Sequence, residues 1–468
     1  MYRTPASLLK SLKGRVDVRV PARFASSSAV STTSSTSGGF FSWLTGERSK
    51  SLPPLDFPLP GVTLPPPLPD FVDPDKTKIT TLYNGVKIAS EASQNPAASV
   101  GLYVDCGSIY ETPSQFGATH LLERMAFKST SNRSHLRIAR EVEAIGGNVR
   151  AIASREQMGY TYDALKTYVP EMVELLVDCV RNPVFLDLEV NEQLQRVKAD
   201  IAEISNNPQG LLFEAIHSAG YSGALSNPLL APESAINRLN SSILEEFFID
   251  NYTAPRMVLA ASGVEHEELI SIAEPLLSDV LSIPYAEEPE SKYVGGDYRC
   301  HADSEKTHFA LAFAVPGGWR QEKQAMTLTV LQMLMGGGGS FSAGGPRKGM
   351  YSRLYLRVYE HPEIQGFSAF KSIYNDTAMF GIQVTTGSNS VSKAIDIVAK
   401  ELIAVAKPGG VDQKQLDRAK QSTKSAILMN MESRMVSVED MGRQVLTYGQ
   451  RLERWNRLLT SLVGLWHY

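Results

Sequence analysis

The stretch that decides the fold is Gly117-Ala118-Thr119-His120-Leu121-Leu122-Glu123-Arg124-Met125-Ala126-Phe127. We interpret it as a helix. On a helix, side chains three and four residues apart lie on one face, so His120, Glu123 and Arg124 face the same way. A histidine and a glutamate at this spacing also arise by chance, as an ordinary polar pair beside a solvated arginine. The sequence on both sides has to decide between a site and a chance pairing.

The spacing matches H-x-x-E-H, a zinc-peptidase motif in which two histidines bind the metal and the glutamate is the general base. Arg124 occupies the position of the second histidine. A guanidinium is permanently cationic and has no lone pair for a metal. None of the other seven histidines lies one helical turn from His120, which excludes a local replacement. We therefore expect a degenerate zinc motif at His120, Glu123 and Arg124, with no metal, no cofactor and no catalytic residue in this chain.

The composition is that of a globular protein. The chain has 468 residues, 43% of them hydrophobic and 21% charged, which is enough for two or more domains. It has no run of 18 apolar residues, so we expect no transmembrane helix. Cys106, Cys179 and Cys300 are scattered without C-x-x-C spacing, which argues against a disulfide framework and a cysteine zinc site.

The charge is unevenly distributed. The first 50 residues hold eight Lys or Arg and two acidic residues, which leaves 38 basic and 48 acidic residues for the rest. An Arg-rich, Ser-rich and acid-poor start is typical of an organelle transit peptide, assigned here to residues 1–40, and Arg23-Phe24-Ala25-Ser26 resembles a mitochondrial cleavage site. The alternative is a disordered basic tail. Residues 51–75 contain nine prolines, so we interpret residues 41–75 as an extended arm or spacer.

Residues 76–285 are predicted to form a first α/β half. Asn84-Gly85 between two apolar runs predicts a hairpin with a type I′ turn. Strands, helices, strands and helices then follow in pairs. This order indicates an α+β fold in which helices cover a mixed sheet. The predicted segments are the strands 98–105, 148–153 and 158–164 and the helices that begin after Ser134, at 170 and at 188.

The layout resembles that of the pitrilysin-like metallopeptidases, family M16. The likeness rests on a strand before H-x-x-E, Gly-Gly-Asn before a Ser-Arg-Glu turn, and an acidic residue on a helix 75–80 residues downstream of the motif. In that family the downstream acid is the third zinc ligand, and Asp200 or Glu203 lies at the corresponding place. The resemblance implies two similar α/β-sandwich halves of the pitrilysin/LuxS-like metallohydrolase fold. Residues 290–468 would form the second half, since residues 307–315 and 325–335 repeat the strand-to-helix step without the chemistry.

A glycine-rich stretch follows in the second half, and seven of its residues from 336 to 349 are glycine. Lys348 is followed by glycine, which does not fit a phosphate loop. A linker and a substrate loop both remain open. The stretch resembles the glycine-rich loop of the non-catalytic α-subunits of mitochondrial processing peptidases, a group within the family, and the chain resembles the plant members of that group. The resemblance implies that substrate contacts Gly336, Gly337, Gly338, Gly339, Ser340, Gly344, Gly345, Lys348 and Gly349. Arg347 departs from the loop pattern.

The resemblance also implies the partners. A zinc-bearing catalytic β-subunit would form a heterodimer with this chain, basic presequences of imported precursors would be its ligands, and subunits of the cytochrome bc1 complex would surround it on the matrix side of the inner mitochondrial membrane. No nucleic-acid partner is expected. A purely structural core protein and an independent zinc peptidase are the competing functions. Residues 450–468 depart from the family's closing segment, which predicts a truncated C-terminus and an incomplete second half.

Overall fold

A computed structural model describes residues 77–93, 95–205, 207–283, 288–301, 304–337 and 351–452. The predicted transit peptide, the proline-rich arm, most of the glycine-rich stretch and the closing residues 453–468 lie outside these ranges. No helix within the described ranges combines the length and the hydropathy that a membrane span requires.

The first half and the segment that leads out of it contain eight strands and eight helices in the described ranges. In chain order they are β1 (Lys78–Thr81), β2 (Lys87–Glu91), β3 (Ala97–Val104), α1 (Ala118–Met125), α2 (His135–Ala144), β4 (Asn148–Ala153), β5 (Met158–Leu165), α3 (Val169–Arg181), α4 (Asp187–Ser205), α5 (Pro208–Gly220), β6 (Tyr221–Gly223), α6 (Glu233–Ile236), α7 (Ser241–Asn251), β7 (Met257–Ser262), α8 (His266–Leu277) and β8 (Ser291–Tyr293).

Six of these strands form one mixed sheet in the order β1-β2-β7-β3-β5-β4. The β2–β7 pair is parallel and the other pairs are antiparallel. Alternate residues of the central strands point to opposite faces. Leu102 and Leu259 belong to the main core, where α3 and α8 pack on the sheet, whereas Tyr103 and Val258 belong to a second cluster on the other face. The predicted mixed sheet covered by helices is confirmed.

The second half comprises β9 (Lys306–Pro316), α9 (Glu322–Met335), α10 (Arg353–Val358), β10 (Ile364–Ile373), β11 (Thr377–Gly387), α11 (Val391–Ala406), α12 (Gln413–Met431) and α13 (Arg434–Tyr448). Its three described strands form an antiparallel sheet in the order β10-β11-β9. α9 and α11 pack on this sheet. The strand-to-helix step of β3 and α1 recurs in β9 and α9, so the predicted two-half architecture is confirmed.

Each half contributes one helix to the sheet of the other. α5 of the first half packs on β9, and Phe213 on α5 meets the Phe370 ring edge-on, with 4.9 Å between the ring centroids. α13 of the second half packs on β3 and β7, where Val438, Met441 and Val445 complete the second cluster. The second face of the first sheet is therefore covered by a helix that comes about 330 residues after β3.

The predicted hairpin is present, but the prediction of a type I′ turn is wrong. β1 and β2 pair antiparallel, and Gly85 has the positive φ of +101°. A type I′ turn would require a positive φ at Asn84 as well. Among the described non-glycine residues only Phe127 has a positive φ, so Asn84 does not meet this requirement. The Asn84 side chain is instead buried and donates to the Leu277 carbonyl at 2.7 Å. Asn84 therefore ties the hairpin to the end of α8.

Candidate functional site

The helix α1 carries the predicted trio and begins at a buried carboxylate. Glu111 accepts hydrogen bonds from the backbone N–H groups of Gly117 at 2.9 Å and Thr119 at 2.7 Å. These groups belong to the first turn, where a helix has no internal acceptors and attracts negative charge. Burial raises the pKa of Glu111 to about 7. Gly117 has φ +92°, and a Cβ there would lie 2.6 Å from the Ala231 Cβ, so glycine is required at this start.

His120 lies on the buried face of α1 and is 5% exposed. Its Nδ1 accepts a hydrogen bond from the Ala231 backbone N–H at 3.2 Å. A neutral imidazole with an accepting Nδ1 carries its proton on Nε2. Burial lowers the pKa of His120, against the opposing effect of Asp200, so the neutral form is favoured. The Nε2 atom therefore faces Asp200 as an N–H, with 3.7 Å between Nε2 and the Asp200 Oδ2.

Arg124 pairs with Asp200 across the α1–α4 contact. The distance between Arg124 Nη2 and Asp200 Oδ2 is 2.7 Å, and the Arg124 side chain is 45% exposed. The partner of Arg124 is thus Asp200 and not its neighbour Glu123. Glu123 instead accepts a hydrogen bond from the Ala153 backbone, and burial raises its pKa. Arg124 therefore pairs with Asp200 on α4, while Glu123, its neighbour on α1, is hydrogen-bonded to β4.

These side chains line an open cavity of about 320 Å³. Its lining joins α1, β4, α4 and the segment before α6, and consists of His120, Glu123, Arg124, Ala153, Asp200, Glu203, Ile204, Leu229 and Leu230. Both acidic candidates from the sequence thus lie at the cavity. Asp200 is the one that approaches His120 and Arg124.

A second pair, absent from the sequence analysis, fixes the far wall of this cavity. Glu214 on α5 accepts from the Leu229 backbone N–H at 3.1 Å and from Arg155 at 3.0 Å. Arg155 is buried in the Ser-Arg-Glu turn between β4 and β5. The turn was recognised in the sequence, but nothing local marks Glu214, which comes 59 residues later.

Comparisons with known proteins show which family the chain belongs to. Two family models match, insulinase (peptidase family M16) over residues 87–233 and the peptidase M16 inactive domain over residues 238–423. The chain belongs to the M16 peptidase family. Its two matched regions follow one another along the chain, and His120, Glu123 and Arg124 lie in the first.

Several M16 relatives are similar over most of their length. The mitochondrial-processing peptidase subunit alpha of Solanum tuberosum is 70% identical over 452 residues, which are 96% of this chain and 89% of the relative. A probable mitochondrial-processing peptidase subunit alpha-2 of Arabidopsis thaliana is 64% identical over 96% of this chain and 90% of its own. The human mitochondrial-processing peptidase subunit alpha is 34% identical over 85% of this chain and 79% of the relative.

The residues at this M16 site do not fit a zinc ion. Arg124 offers no lone pair, and its guanidinium occupies the carboxylate that would complete the ligand set. His120 presents Nε2 as an N–H rather than as a lone pair. The side chains at positions 120, 124 and 200 are therefore committed to other contacts, which join α1 to α4 and to the segment before α6.

Only two residues of the predicted M16 substrate loop lie in the described ranges. Gly336 ends α9 with φ +123°, and a Cβ on Gly337 would lie 2.0 Å from the Ala369 carbonyl oxygen on β10. Both N–H groups donate to the Gln332 carbonyl. These glycines allow the chain to leave α9 against the sheet. The remaining predicted loop residues, Gly338, Gly339, Ser340, Gly344, Gly345, Lys348 and Gly349, lie outside the described residues.

Proposed function

We propose that this chain is the non-catalytic, substrate-recognition subunit of a mitochondrial processing peptidase. The observation that carries the proposal is the Arg124–Asp200 ion pair in place of a zinc ligand set. At this site the ion pair takes the place of a metal ion that could activate a water molecule for peptide hydrolysis. The relatives named above are α-subunits of mitochondrial-processing peptidases, which supports the same role.

A catalytic β-subunit would then supply the zinc ion, the general base and the nucleophilic water. This chain would supply the recognition surface, including the glycine-rich stretch 336–349, since glycine allows close backbone approach to a ligand. Its ligands would be basic presequences. The 38 basic and 48 acidic residues that follow residue 50 favour such ligands through long-range attraction.

The proposed location is the matrix side of the inner mitochondrial membrane. Residues 1–40 would be a transit peptide and residues 41–75 an arm along a partner, with the two halves at 76–285 and 290–468. Because the plant relatives are the most extensively matched of those named, we also propose membership of the cytochrome bc1 complex, as the resemblance to plant-type members implies. A purely structural role in that complex is the alternative.

The test is cleavage of a fluorescent presequence peptide by this chain alone, by a catalytic β-subunit alone, and by the two together. Only the pair is expected to cleave. Deletion of residues 338–345 spares Gly336 and Gly337, which pack against β10, and is expected to raise KM more than it lowers kcat.

A matched pair of substitutions separates loop function from general glycine effects. Replacing Gly344 and Gly345 by alanine is expected to raise KM, whereas Gly387→Ala, where no atom lies within 4 Å of the new Cβ, is expected to leave it unchanged. Cleavage by this chain alone would refute the non-catalytic role. A pair that co-purifies and does not cleave would support the structural alternative.

A further inference from the structure

One turn of the second half reaches the first half. It is the turn of residues 374–376, which joins β10 to β11. The Tyr374 hydroxyl lies 2.6 Å from Nε2 of His217 on α5, and the Asn375 backbone N–H donates to Oε1 of Glu156 at 2.9 Å. Glu156 belongs to the turn between β4 and β5. We call these four residues the inter-half latch.

The His217 side of the latch requires a neutral imidazole. Its Nδ1 lies 2.6 Å from the Phe213 carbonyl oxygen, and because a carbonyl only accepts, Nδ1 carries the proton. Nε2 then has the lone pair that accepts from the Tyr374 hydroxyl. Burial lowers the pKa of His217 to about 4, and the Arg155 guanidinium acts in the same direction. A proton on Nε2 would remove this acceptor and leave an imidazolium buried.

The Glu156 side of the latch requires a neutral carboxyl group. Burial raises the pKa of Glu156 to about 8, against the opposing effect of the hydrogen bond from the latch backbone. The carboxylates of Glu288, Asp105 and Asp376 add to the rise through their like charge. Arg320 pairs with Glu288 at 2.8 Å and with Asp376 at 2.6 Å, so it balances part of that charge. An ionised Glu156 would therefore be a buried anion among other carboxylates.

An open cavity beside the latch connects the Glu156 carboxyl group with solvent. Its volume is about 500 Å³, and Glu156, Glu288, Tyr374 and Asp376 are among its lining residues. Glu156 can therefore exchange its proton with water. The other described titratable groups that line this cavity or lie around the latch are Arg155, Glu214, Tyr221, Arg256, Glu290, Lys292 and Arg443.

From this we infer that the inter-half latch is a pH-controlled conformational switch, in which the turn of residues 374–376 separates from the first half when Glu156 loses its proton or His217 gains one. Either change leaves a charge without compensation in the closed latch, and separation of the turn exposes that charge to water. The two acceptors hold adjacent residues of one turn, so each proton change acts on the same contact. This inference does not depend on the proposed function.

The direction of the pH dependence follows from the pKa of each group in the closed and open latch. The pKa of Glu156 is about 8 when closed and 4.5 when exposed, so the open-to-closed ratio rises about tenfold per pH unit from 4.5 to 8. The pKa of His217 is about 4 when closed and 6.5 when exposed, so the ratio rises as pH falls from 6.5 to 4. The two effects cancel between 4.5 and 6.5. Opening is therefore expected to rise about thirtyfold between pH 6.5 and 8.

The test is hydrogen exchange of the Asn375 N–H in the full chain, read at single residues by mass spectrometry. Each rate is divided by that of an unstructured peptide at the same pH. Glu156→Gln keeps an acceptor and cannot ionise, so its corrected rate should be constant from pH 6.5 to 8 and should rise at least tenfold from pH 6.5 to 5. His217→Gln keeps an acceptor and cannot be protonated, so its corrected rate should rise with pH from 5 to 8.

Amides within each half are the internal controls. The Trp319 N–H donates to the Tyr374 carbonyl at 2.7 Å within the second half, and its corrected rate should not rise with that of Asn375. The same holds for the amides of β3. A corrected rate at Asn375 that is constant or falls from pH 6.5 to 8 would overturn the inference, as would a rise that persists in Glu156→Gln. An equal rise at Trp319 and in β3 would mean that the whole fold opens, which also overturns it. The profile of the parent chain remains decisive if a variant fails to fold.

Discussion

Replacing Gly442 by alanine is expected to destabilise the protein, although the same change in a helix usually stabilises. Gly442 lies in α13 where this helix crosses β3, and its Cβ would fall 2.1 Å from Cδ2 of the Tyr103 ring. The ring cannot retreat. A Cβ on Gly101 would lie 2.5 Å from it and one on Gly159 2.9 Å, so three glycines enclose it. Tyr103 is 1% exposed.

The magnitude follows from two opposing terms. Inserting a methyl group into a filled site costs about 1–3 kcal/mol. Alanine regains about 1 kcal/mol of helix propensity over glycine. We therefore expect the free energy of unfolding to fall by up to about 2 kcal/mol, measured from the urea midpoint by circular dichroism.

The matched control is Gly210→Ala in α5, where the nearest atom to the new Cβ is the flexible end of Ile204 at 3.3 Å. That variant is expected to be neutral or more stable by up to about 1 kcal/mol. If Gly442→Ala is as stable as Gly210→Ala, the ring does not fill the space beneath α13, and the account of how α13 covers the first sheet is wrong.

Three further predictions concern the first half. A chelator is expected to leave the melting temperature of the chain unchanged, and equilibrium dialysis should find no stoichiometric zinc; bound zinc would contradict the ion-pair assignment. Glu111→Ala should lower the free energy of unfolding by about 2–3 kcal/mol in urea titrations, since the N–H groups of Gly117 and Thr119 lose their buried acceptor. A loss below about 0.5 kcal/mol would show that Glu111 does not stabilise the start of α1. Burial raises the pKa of Glu156 to about 8, so the folded protein binds more protons than the unfolded chain between about pH 4.5 and 8, and this group's contribution to stability falls as pH rises through that window. Glu156→Gln keeps an acceptor for the Asn375 N–H and should gain stability over the parent at pH 8.5 but not at pH 4, as measured by thermal unfolding; a pH-independent difference would show that Glu156 is not protonated in the fold.

Local patterns in the sequence predicted most elements well, because each depends on neighbouring residues. The helix after Ser134 begins where the serine side chain accepts from the Arg137 N–H, and the strand predicted at 148–153 is β4 with the same bounds. β7 escaped prediction because its six buried residues show no alternation, and its place between β2 and β3 depends on strands more than 150 residues earlier. The turn at Asn84 was misassigned because its buried side chain bonds to α8 rather than serving the turn alone.

The candidate site divides in the same way. The spacing of His120, Glu123 and Arg124 placed them on one helix face, and the loss of a ligand at Arg124 followed from its side-chain chemistry alone. The partner of Arg124 could not be predicted, because Asp200 and Glu203 are both on α4 and only the packing of α4 against α1 distinguishes them. Glu111 was missed for a similar reason. It lies in the segment before α1 and accepts from the Thr119 N–H of the first helical turn.

The contacts of α1 explain how the site keeps its shape. Glu111 holds the first turn, His120 bonds to the segment before α6 through Ala231, and Arg124 binds α4 through Asp200. Each bond joins α1 to a different part of the first half, which is the mechanical task that a zinc ion performs when its ligands come from two helices. The guanidinium carries one positive charge, and the single carboxylate of Asp200 balances it, although the Arg124 side chain remains 45% exposed. The side chains of His120, Arg124 and Asp200 therefore stabilise the fold through contacts of their own.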